Sequence, residues 1–200
     1  MITLIIVDPQ YDFIEGGKLP IIGGTKALDN IARLIESGKV GRVVITQDSH
    51  RPDHCSFKWF GGQFPEHCIM NSHGYLVYEP IEKAIKDKNI RITTIEKGHN
   101  EEEFSGFTGE YSSEYYNHVE LKITNGSYWN NFVTFRKDDT IVICGLAGDI
   151  CVLNTIKAIL PAIPNLKVYL DGIASLDDRS TLLNFMKENN IKEYHYDNTK

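Results

Sequence analysis

The chain has 200 residues, with 21 Lys and Arg against 27 Asp and Glu, a formal net charge of -6 and 42% hydrophobic residues. The acidic balance argues against nucleic acid as a partner, because proteins that bind a phosphate backbone usually present a basic face. The length and apolar content predict a single domain over residues 1–200 whose partner is a small-molecule substrate.

No apolar run in the sequence is long enough to span a membrane, and residues 1–7 lack the basic leader and cleavage site of a secretion signal. We therefore predict a cytoplasmic protein that makes no membrane contact. The four cysteines, at positions 55, 68, 144 and 151, are expected to be free thiols, because a cytoplasmic chain of this size does not need disulfides to fold. The sequence leaves open whether the chain forms a homo-oligomer.

The first half of the chain alternates patterns typical of strands and helices. Short apolar runs rich in β-branched residues predict strands at 2–7, 42–46 and 90–95. Apolar residues at helical spacing predict a helix at 25–37 and a short one at 81–86.

The second half repeats this alternation after a stretch that is harder to assign. The predicted strands are 140–144, 166–170 and 191–196. The predicted helices are 150–160 and 180–189. Residues 100–116 are acidic and aromatic and are predicted to form a loop, with a helix expected around 114–121 or 129–135.

Strands alternating with helices predict an α/β protein with a parallel sheet covered on both faces. Ligands of such sheets bind at the carboxyl ends of the strands. Four of the predicted strands end at Asp8, at Asp48 with His50, at Lys97 and before Cys151. An acid, a pair suited to metal, a base and a thiol are therefore expected at one edge of the sheet.

Cys151 lies where a predicted strand passes through a turn at Gly145 into a helix. Unpaired backbone N–H groups and the positive end of the helix dipole stabilise a thiolate in the first turn of a helix. The same N–H groups can hold the oxyanion that forms when a thiolate attacks a carbonyl. The alternatives are a small buried hydrophobic residue and a redox pair with Cys144, which the absence of a Cys-x-x-Cys motif disfavours.

A metal site is predicted from Asp48, His50, His54 and His67. An Asp-x-His pair directly after a strand presents both side chains on one side of an extended backbone, and a later histidine completes a three-ligand site. The stretch that follows, up to residue 89, is irregular and dense in aromatic residues and histidine, as is typical of a loop that builds a site. Zinc suits these ligands, and manganese or iron fits the same set. The alternative is exposed loop histidines at chance density.

A catalytic group is predicted from Asp8, Lys97 and Cys151. A carboxylate at the end of a neighbouring strand can take the thiol proton and return it later to a departing amine. A lysine between them keeps the carboxylate ionised and adds positive potential beside the sulfur. The alternative for Asp8 and Lys97 is a simple ion pair that bridges two strand ends.

Taken together, these stretches resemble the nicotinamidase/pyrazinamidase branch of the isochorismatase-like cysteine hydrolases, over nearly the whole chain. The matching text is IIVDPQYDF at 5–13, TQDSH at 46–50, FPEHC at 64–68, EKG at 96–98 and GLAGDICV at 145–152. The resemblance implies a three-layer α/β/α domain with a six-stranded parallel sheet. It also implies a catalytic triad of Asp8, Lys97 and Cys151.

The resemblance further implies the roles of other site residues. A metal would be held by Asp48, His50 and His67, with His54 as a fourth ligand in some members. Leu146–Ala147 would be a cis peptide, and the N–H groups of Ala147 and Cys151 would form the oxyanion hole. Substrate-binding residues would be Phe13, Phe64 and Leu146.

The sequence departs from many such relatives at two of these positions. Phe64 stands where they have Trp, which implies a larger pocket. Gly148 stands where they have Thr, which implies the loss of a hydroxyl near the turn that carries the nucleophile.

The predicted function is a metal-dependent amidase, with zinc as the expected ion, that hydrolyses nicotinamide to nicotinate and ammonia through a thioester on Cys151. Pyrazinamide is a second candidate substrate. One alternative is another isochorismatase-like cysteine hydrolase that acts on a different small amide. The other is a non-catalytic, metal-binding member of the same fold.

Overall fold

Nine strands form two sheets in the structure, a computed structural model that describes residues 2–99, 101–115, 117–125 and 131–196. In chain order the strands are β1 (Ile2–Val7), β2 (Val40–Asp48), β3 (Arg91–Lys97), β4 (Phe107–Tyr115), β5 (His118–Ile123), β6 (Phe132–Arg136), β7 (Thr140–Gly145), β8 (Lys167–Ile173) and β9 (Lys192–Glu193). The larger sheet has six parallel strands in the order β3-β2-β1-β7-β8-β9. This confirms the predicted six-stranded parallel sheet.

The central strands are apolar because they are covered on both faces. All six residues of β1 are buried, as are the last five of β7. Strands buried on both faces read as continuous apolar runs, which is why these two could be recognised from the sequence. At the edge of the sheet the pattern weakens, and Ile92 of β3 is 47% exposed.

Helices cover the two faces of this sheet. They are α1 (Gly24–Glu36), α2 (Glu79–Asp87), α3 (Leu153–Ile159) and α4 (Ser180–Glu188). The chain runs from β1 toward β3 in one direction and from β7 toward β9 in the other. Right-handed crossovers in opposite directions place helices on opposite faces, which gives the three layers of the predicted α/β/α fold. Among the described residues, no helix is both long and apolar enough to cross a bilayer.

The segment between β3 and β7 corrects the prediction from sequence. Residues expected to be a loop, with a helix at 114–121 or 129–135, form instead the antiparallel sheet β4-β5-β6. The buried residues of β5 and β6 are Val119, Leu121, Val133 and Phe135, which alternate with more exposed ones. This period of two lets one face of a strand pack while the other stays polar. Residues 116 and 126–130, which include part of the 129–135 prediction, lie outside the described residues.

The parallel sheet has its switch point between β1 and β7, where the direction of the crossovers reverses. A crevice forms there at the carboxyl ends of the strands, and it is the usual ligand site of open α/β sheets. The register pairs Val7 of β1 with both Thr46 of β2 and Gly145 of β7. Residues that follow these three positions are therefore brought to the same edge.

Candidate active site

Four strand ends place the predicted residues together at this edge. Asp8 directly follows β1, Asp48 and Lys97 end β2 and β3 as a register pair, and Cys151 follows β7. All four residues are buried. The sheet therefore brings together groups that lie far apart in the sequence.

Lys97 is the centre of this group. Its Nζ lies 2.9 Å from Asp8 Oδ2, contacts Asp48 Oδ1 and lies 3.7 Å from Cys151 Sγ. The side chain has no exposed surface. A buried ammonium is stable only when it is paired, and here two carboxylates surround it. A third oxygen, the backbone carbonyl of Glu103, accepts a hydrogen bond from Nζ at 3.3 Å.

The charges around Lys97 separate the two carboxyl groups chemically. Burial by itself would raise the pKa of Asp48, but the charge of Lys97 holds that pKa well below its usual range, so Asp48 is a carboxylate. Burial raises the pKa of Asp8, and the nearby Asp48 charge adds to the rise, although Lys97 opposes it. Asp8 is thus the carboxyl group that is able to hold a proton.

Asp8 also lies beside the cysteine. Its Oδ1 accepts a hydrogen bond from Thr46 Oγ1 at 2.7 Å. Its Oδ2 is ion-paired with Lys97 but has no well-aligned hydrogen bond from the described residues. A carboxylate oxygen of Asp8 and the Sγ of Cys151 lie within 4.8 Å of each other, which makes Asp8 the neighbouring candidate base for the thiol.

Cys151 differs from the prediction in two respects. It lies in a π-helical turn, Gly148–Val152, that precedes α3, rather than in the first turn of an α-helix. The sequence predicted a stabilised thiolate, but burial raises the pKa of the Cys151 thiol well above its usual value, Lys97 only partly opposes this, and Asp8 and Asp48 add to it. The resting group is therefore a thiol, because burial disfavours the thiolate more strongly than the Lys97 charge favours it.

The backbone before Cys151 has the expected conformation for an oxyanion hole. The Leu146–Ala147 peptide bond is cis, as predicted. The N–H of Ala147 makes no hydrogen bond within the described part of the chain, so it is available to a ligand. Gly145 permits the close approach of β7 to β1, since a Cβ at its φ of +121° would lie 2.1 Å from the Val7 carbonyl oxygen.

The departure from relatives at Gly148 has a local explanation. A Cβ at this position would lie 2.3 Å from Ser175 Oγ and 2.6 Å from Ile173 Cγ2. Contacts below about 3 Å are not tolerated in close-packed interiors. Ser175 therefore fills the space that a side chain at position 148 would need.

A group that could hold a metal ion lies beside Lys97. Ligand atoms of Asp48, His50 and His67 all lie within 4.8 Å of one another. The Nε2 atoms of His50 and His67 are 3.5 and 3.9 Å from Asp48 Oδ2.

The orientation of the two histidines fits a cation at this position. His50 Nδ1 lies 2.6 Å from the Gly98 carbonyl oxygen, and His67 Nδ1 lies 2.8 Å from that of Pro65. A carbonyl oxygen only accepts, so each Nδ1 carries the proton and each Nε2 presents a lone pair. Burial lowers the pKa of His67, which keeps that ring neutral. Two nitrogen lone pairs and a carboxylate oxygen thus converge, which is the donor set of a divalent metal.

The absence of a side chain at Gly98 leaves room for the His50 ring. Its φ is +70°, and a Cβ there would lie 2.6 Å from His50 Cε1. The conformation and the contact both favour glycine. The positive φ of Gly98 and its contact with His50 could not be predicted from the sequence, which showed only that Gly98 belongs to the matching stretch EKG at 96–98.

His54 does not join this converging group. Its ring stacks on His50 with 4.2 Å between centroids. Its Nδ1 lies 2.8 Å from Ser56 Oγ and its Nε2 lies 3.0 Å from the Glu101 carbonyl oxygen. A role of His54 as a fourth ligand remains a prediction.

An apolar cavity leads from these groups toward the surface. Its described lining is Phe13, Leu19, Ile21, Asp48, His50, Ser56, Phe64, His67, Glu102, Glu103, Phe104, Ala147, Ile150, Cys151 and Leu176. The predicted substrate-binding residues Phe13 and Phe64 are among them, with ring centroids 5.6 and 5.8 Å from that of His67. Leu146, also predicted to bind substrate, is not among them, and its side chain is fully buried.

Gln10 is a positioning residue that sequence reasoning missed. Its Oε1 accepts a hydrogen bond from the Asp48 backbone N–H, and its Nε2 donates to the Asp48 carbonyl oxygen, both at 2.8 Å. Nε2 also donates to the Tyr75 carbonyl oxygen at 2.9 Å. The side chain thereby takes the place of a neighbouring strand at the end of β2. A buried glutamine in a loop after a strand carries no sequence signal that distinguishes it from an exposed one.

Comparison with known proteins agrees with this site. The nicotinamidase/pyrazinamidase of Mycobacterium tuberculosis is 30% identical over 159 residues, which cover 78% of this chain and 76% of that protein. The crystal structure of PnC1 from L. infantum in complex with nicotinate has a TM-score of 0.73 at 25% identity, covering 97% of this chain and 92% of that one.

A pyrazinamidase of Pyrococcus horikoshii in complex with zinc has the same fold, with a TM-score of 0.71 at 24% identity over 98% of this chain and 99% of that one. The model of the isochorismatase domain matches residues 3–187. This match extends from the first strand to the last helix, so it includes every residue of the site described above. The chain therefore belongs to the isochorismatase family.

Proposed function

We propose that the protein hydrolyses nicotinamide to nicotinate and ammonia. The observation that carries the proposal is the placement of a buried thiol within reach of a carboxyl group and an ammonium, beside a metal-type donor set, in one aromatic-lined cavity. A flat aromatic amide suits such a cavity, because aromatic walls hold a ring while polar groups orient its substituent. The relatives named as nicotinamidases, and the neighbour that binds nicotinate, support this substrate.

The first half of the reaction forms a thioester. Asp8 takes the thiol proton as the sulfur of Cys151 attacks the carboxamide carbon, and the electrons of the carbonyl bond move onto its oxygen. The N–H groups of Ala147 and Cys151 stabilise this oxyanion, and each such donor typically lowers the barrier by about 2.7–4 kcal/mol. The carbon–nitrogen bond then breaks, Asp8 transfers its proton to the nitrogen, and ammonia leaves.

The second half returns the enzyme to its starting state. Asp8 removes a proton from a water molecule, which attacks the thioester carbon. The carbon–sulfur bond breaks, the sulfur regains the proton from Asp8, and nicotinic acid is released and loses its remaining proton to solvent to become nicotinate. Lys97 remains an ammonium throughout, because burial would lower its pKa but Asp48 and Asp8 raise it well above the usual value. Its charge offsets the negative charge that builds up in the cavity.

We further propose that Asp48, His50 and His67 hold a divalent metal ion, with zinc as the expected ion, manganese or iron as alternatives, and His54 as a candidate fourth ligand. When bound, such an ion supplies a Lewis acid with open positions for water or for a nitrogen donor of the substrate. The contribution of the chain is to keep both Nε2 atoms unprotonated and aligned through the Gly98 and Pro65 carbonyl groups.

The test is ammonia release from nicotinamide by the metal-loaded protein and by Cys151→Ala. The variant should lose turnover completely while keeping the wild-type metal content, because the sulfur forms the covalent intermediate and is not a predicted metal ligand. Cys55→Ala, a change at an exposed cysteine, is the matched control and should keep full activity.

Two results would contradict the proposal. Turnover of Cys151→Ala near the wild-type rate would exclude the thioester mechanism. A wild-type protein that is fully loaded with metal and releases no ammonia from nicotinamide would exclude this substrate and favour a different small amide.

A further inference from the structure

A second cavity lies between the two sheets, away from the catalytic group. It has a volume of about 500 Å³ and is bounded by β2 and β3 of the parallel sheet and by β5 and β6 of the small one. Its described lining is Arg42, Arg91, Thr93, Thr94, Ile95, His118, Ile123, Phe132, Val133, Thr134, Arg136 and Asp139. We call it the arginine cleft. Ligand pockets typically have volumes of about 300–1,000 Å³, so the cleft is large enough for a small molecule.

The cleft is strongly cationic in an acidic protein. It contains three of the six arginines of the chain, together with His118. Asp139 is the only carboxylate among its described lining residues, and one of its oxygens already accepts a hydrogen bond from Thr3 Oγ1 at 3.1 Å. One carboxylate leaves an excess of positive charge that nothing described in the cleft neutralises.

Two of the arginines are placed against each other by the sheet itself. Arg42 of β2 and Arg91 of β3 are a register pair on neighbouring strands. Like charges that face each other across strands are destabilising. The structure keeps both, and an anion between them would turn the repulsion into a binding site.

Arg42 is held in place at the wall of the cleft. Its guanidinium donates to the Thr134 carbonyl oxygen, has Nη2 3.5 Å from Thr93 Oγ1 and lies 5.4 Å from the centre of the Phe135 ring. Its Nε has no hydrogen-bond partner among the described residues, but it is closed to solvent. A ligand in the cleft is therefore attracted by the charge of the guanidinium and not through this donor.

The cleft is separate from the catalytic cavity. Arg42 lies near the start of β2, whereas Asp48 lies at its end. Six residues of a strand span about 20 Å, at roughly 3.3 Å per residue. A ligand in the cleft therefore does not occupy the catalytic cavity, and the inference stands independently of the proposed reaction.

We propose that the arginine cleft binds a phosphate monoester carried by a small molecule of about the size of a nucleoside monophosphate. Guanidinium groups match phosphate oxygens in a bidentate manner, and the hydroxyl group of Thr93, on the same face of β3 as Arg91, adds a neutral donor. Phe132, which is 47% exposed at the rim, offers a face on which a planar ring stacks.

The test measures binding of adenosine monophosphate, inorganic phosphate and adenosine to the full-length, metal-loaded protein by titration calorimetry. The wild type should bind adenosine monophosphate, with an affinity that falls as salt is raised. Arg91→Gln combined with Arg136→Gln should weaken this binding by about tenfold or more, since each change removes a charged donor to phosphate. Both residues are exposed, so the variant should keep its thermal midpoint and its ammonia release.

The control is Arg51→Gln, which changes an exposed arginine in the loop after β2 and should leave binding unchanged. Inorganic phosphate bound with the same dependence on Arg91 and Arg136 would support the site and identify the phosphate group as the part recognised. Three results would overturn the proposal: no binding of either phosphate compound at millimolar concentration, equal binding of adenosine and its monophosphate, or unchanged binding by the double variant.

Discussion

Buried positive charges at the two ends of β2 have different surroundings. At the carboxyl end, Lys97 is completely buried, and two carboxylates and a carbonyl oxygen surround its ammonium. At the amino end, Arg42 is partly buried beside another arginine, and its Nε has no partner among the described residues. The first site pairs its cation with carboxylates of the chain, whereas the second has three arginines for the single carboxylate of Asp139 among its described lining residues. The difference indicates that the first is built for internal chemistry and the second for a ligand.

The largest effect is expected at Lys97, whose buried ammonium is paired with two carboxylates. Lys97→Met should lower the free energy of unfolding by about 3–5 kcal/mol and abolish turnover, because it leaves Asp8 and Asp48 buried together without a cation. Lys83→Met is the matched control, since Lys83 forms an exposed pair with Asp87 and its loss should not change stability measurably. Urea denaturation of both variants measures their free energies of unfolding. A Lys97→Met protein as stable as the wild type would contradict the prediction.

A smaller effect is expected at Gly98, where a substitution would move the His50 ring without changing any charge. Gly98→Ala should weaken metal binding by about 10- to 100-fold, because the new Cβ displaces the His50 ring from the carbonyl that orients it. Gly38→Ala is the control: Gly38 also has a positive φ, of +76°, but has no atom within 4 Å of the added Cβ. Equilibrium dialysis with zinc measures both. Equal losses would show that the backbone conformation, and not the contact with His50, determines the result.

The smallest effect is expected at an exposed charge, where solvent screens the interaction. Glu15 accepts hydrogen bonds from Gly23, Thr25 and the Thr25 hydroxyl, and mainly this hydroxyl lowers the pKa of Glu15 from 4.5 to about 2. A carboxyl group whose pKa is lower in the folded than in the unfolded protein stabilises the fold at pH values above its unfolded pKa. This stabilisation is lost as the pH falls through the folded pKa.

Glu15→Gln should therefore be slightly less stable than the wild type at neutral pH, and the difference should narrow between pH 4.5 and about 2. Thermal midpoints over this range measure it. A difference that grows toward acid pH would mean that Glu15 is not the group that titrates.

Several features could be predicted from the sequence because they depend on local pattern. Continuous apolar runs identified β1 and β7, and polar residues directly after the strands predicted that Asp8, Asp48 and Lys97 would meet. The Asp-x-His spacing placed Asp48 and His50 together, and His67 joins them as expected. The short alternating strands β5 and β6 were missed, because a few apolar residues in a polar segment fit more than one period.

The protonation state of Cys151 could not be predicted locally. Its sequence neighbours indicated a helix start and a stabilised thiolate, but burial in the folded core raises its pKa, and residues more than 50 positions away modify it. Burial and electrostatic interactions depend on position in space, so the adjacent sequence does not reveal them. The same reasoning applies to Gln10, whose hydrogen bonds to Asp48 exist only once β1 and β2 are paired.

The sequence by itself determined the parallel sheet, the edge where its ligands bind and the residue types assembled there. Continuous apolar runs and the polar residues that end them are local properties of the chain, so they could be recognised without the structure. Only the tertiary structure decided which carboxyl group has the raised pKa, which histidines converge and where three arginines face one another. Those properties arise from distances between strands that are remote in sequence, and free energies of charged groups follow such distances rather than the order of residues.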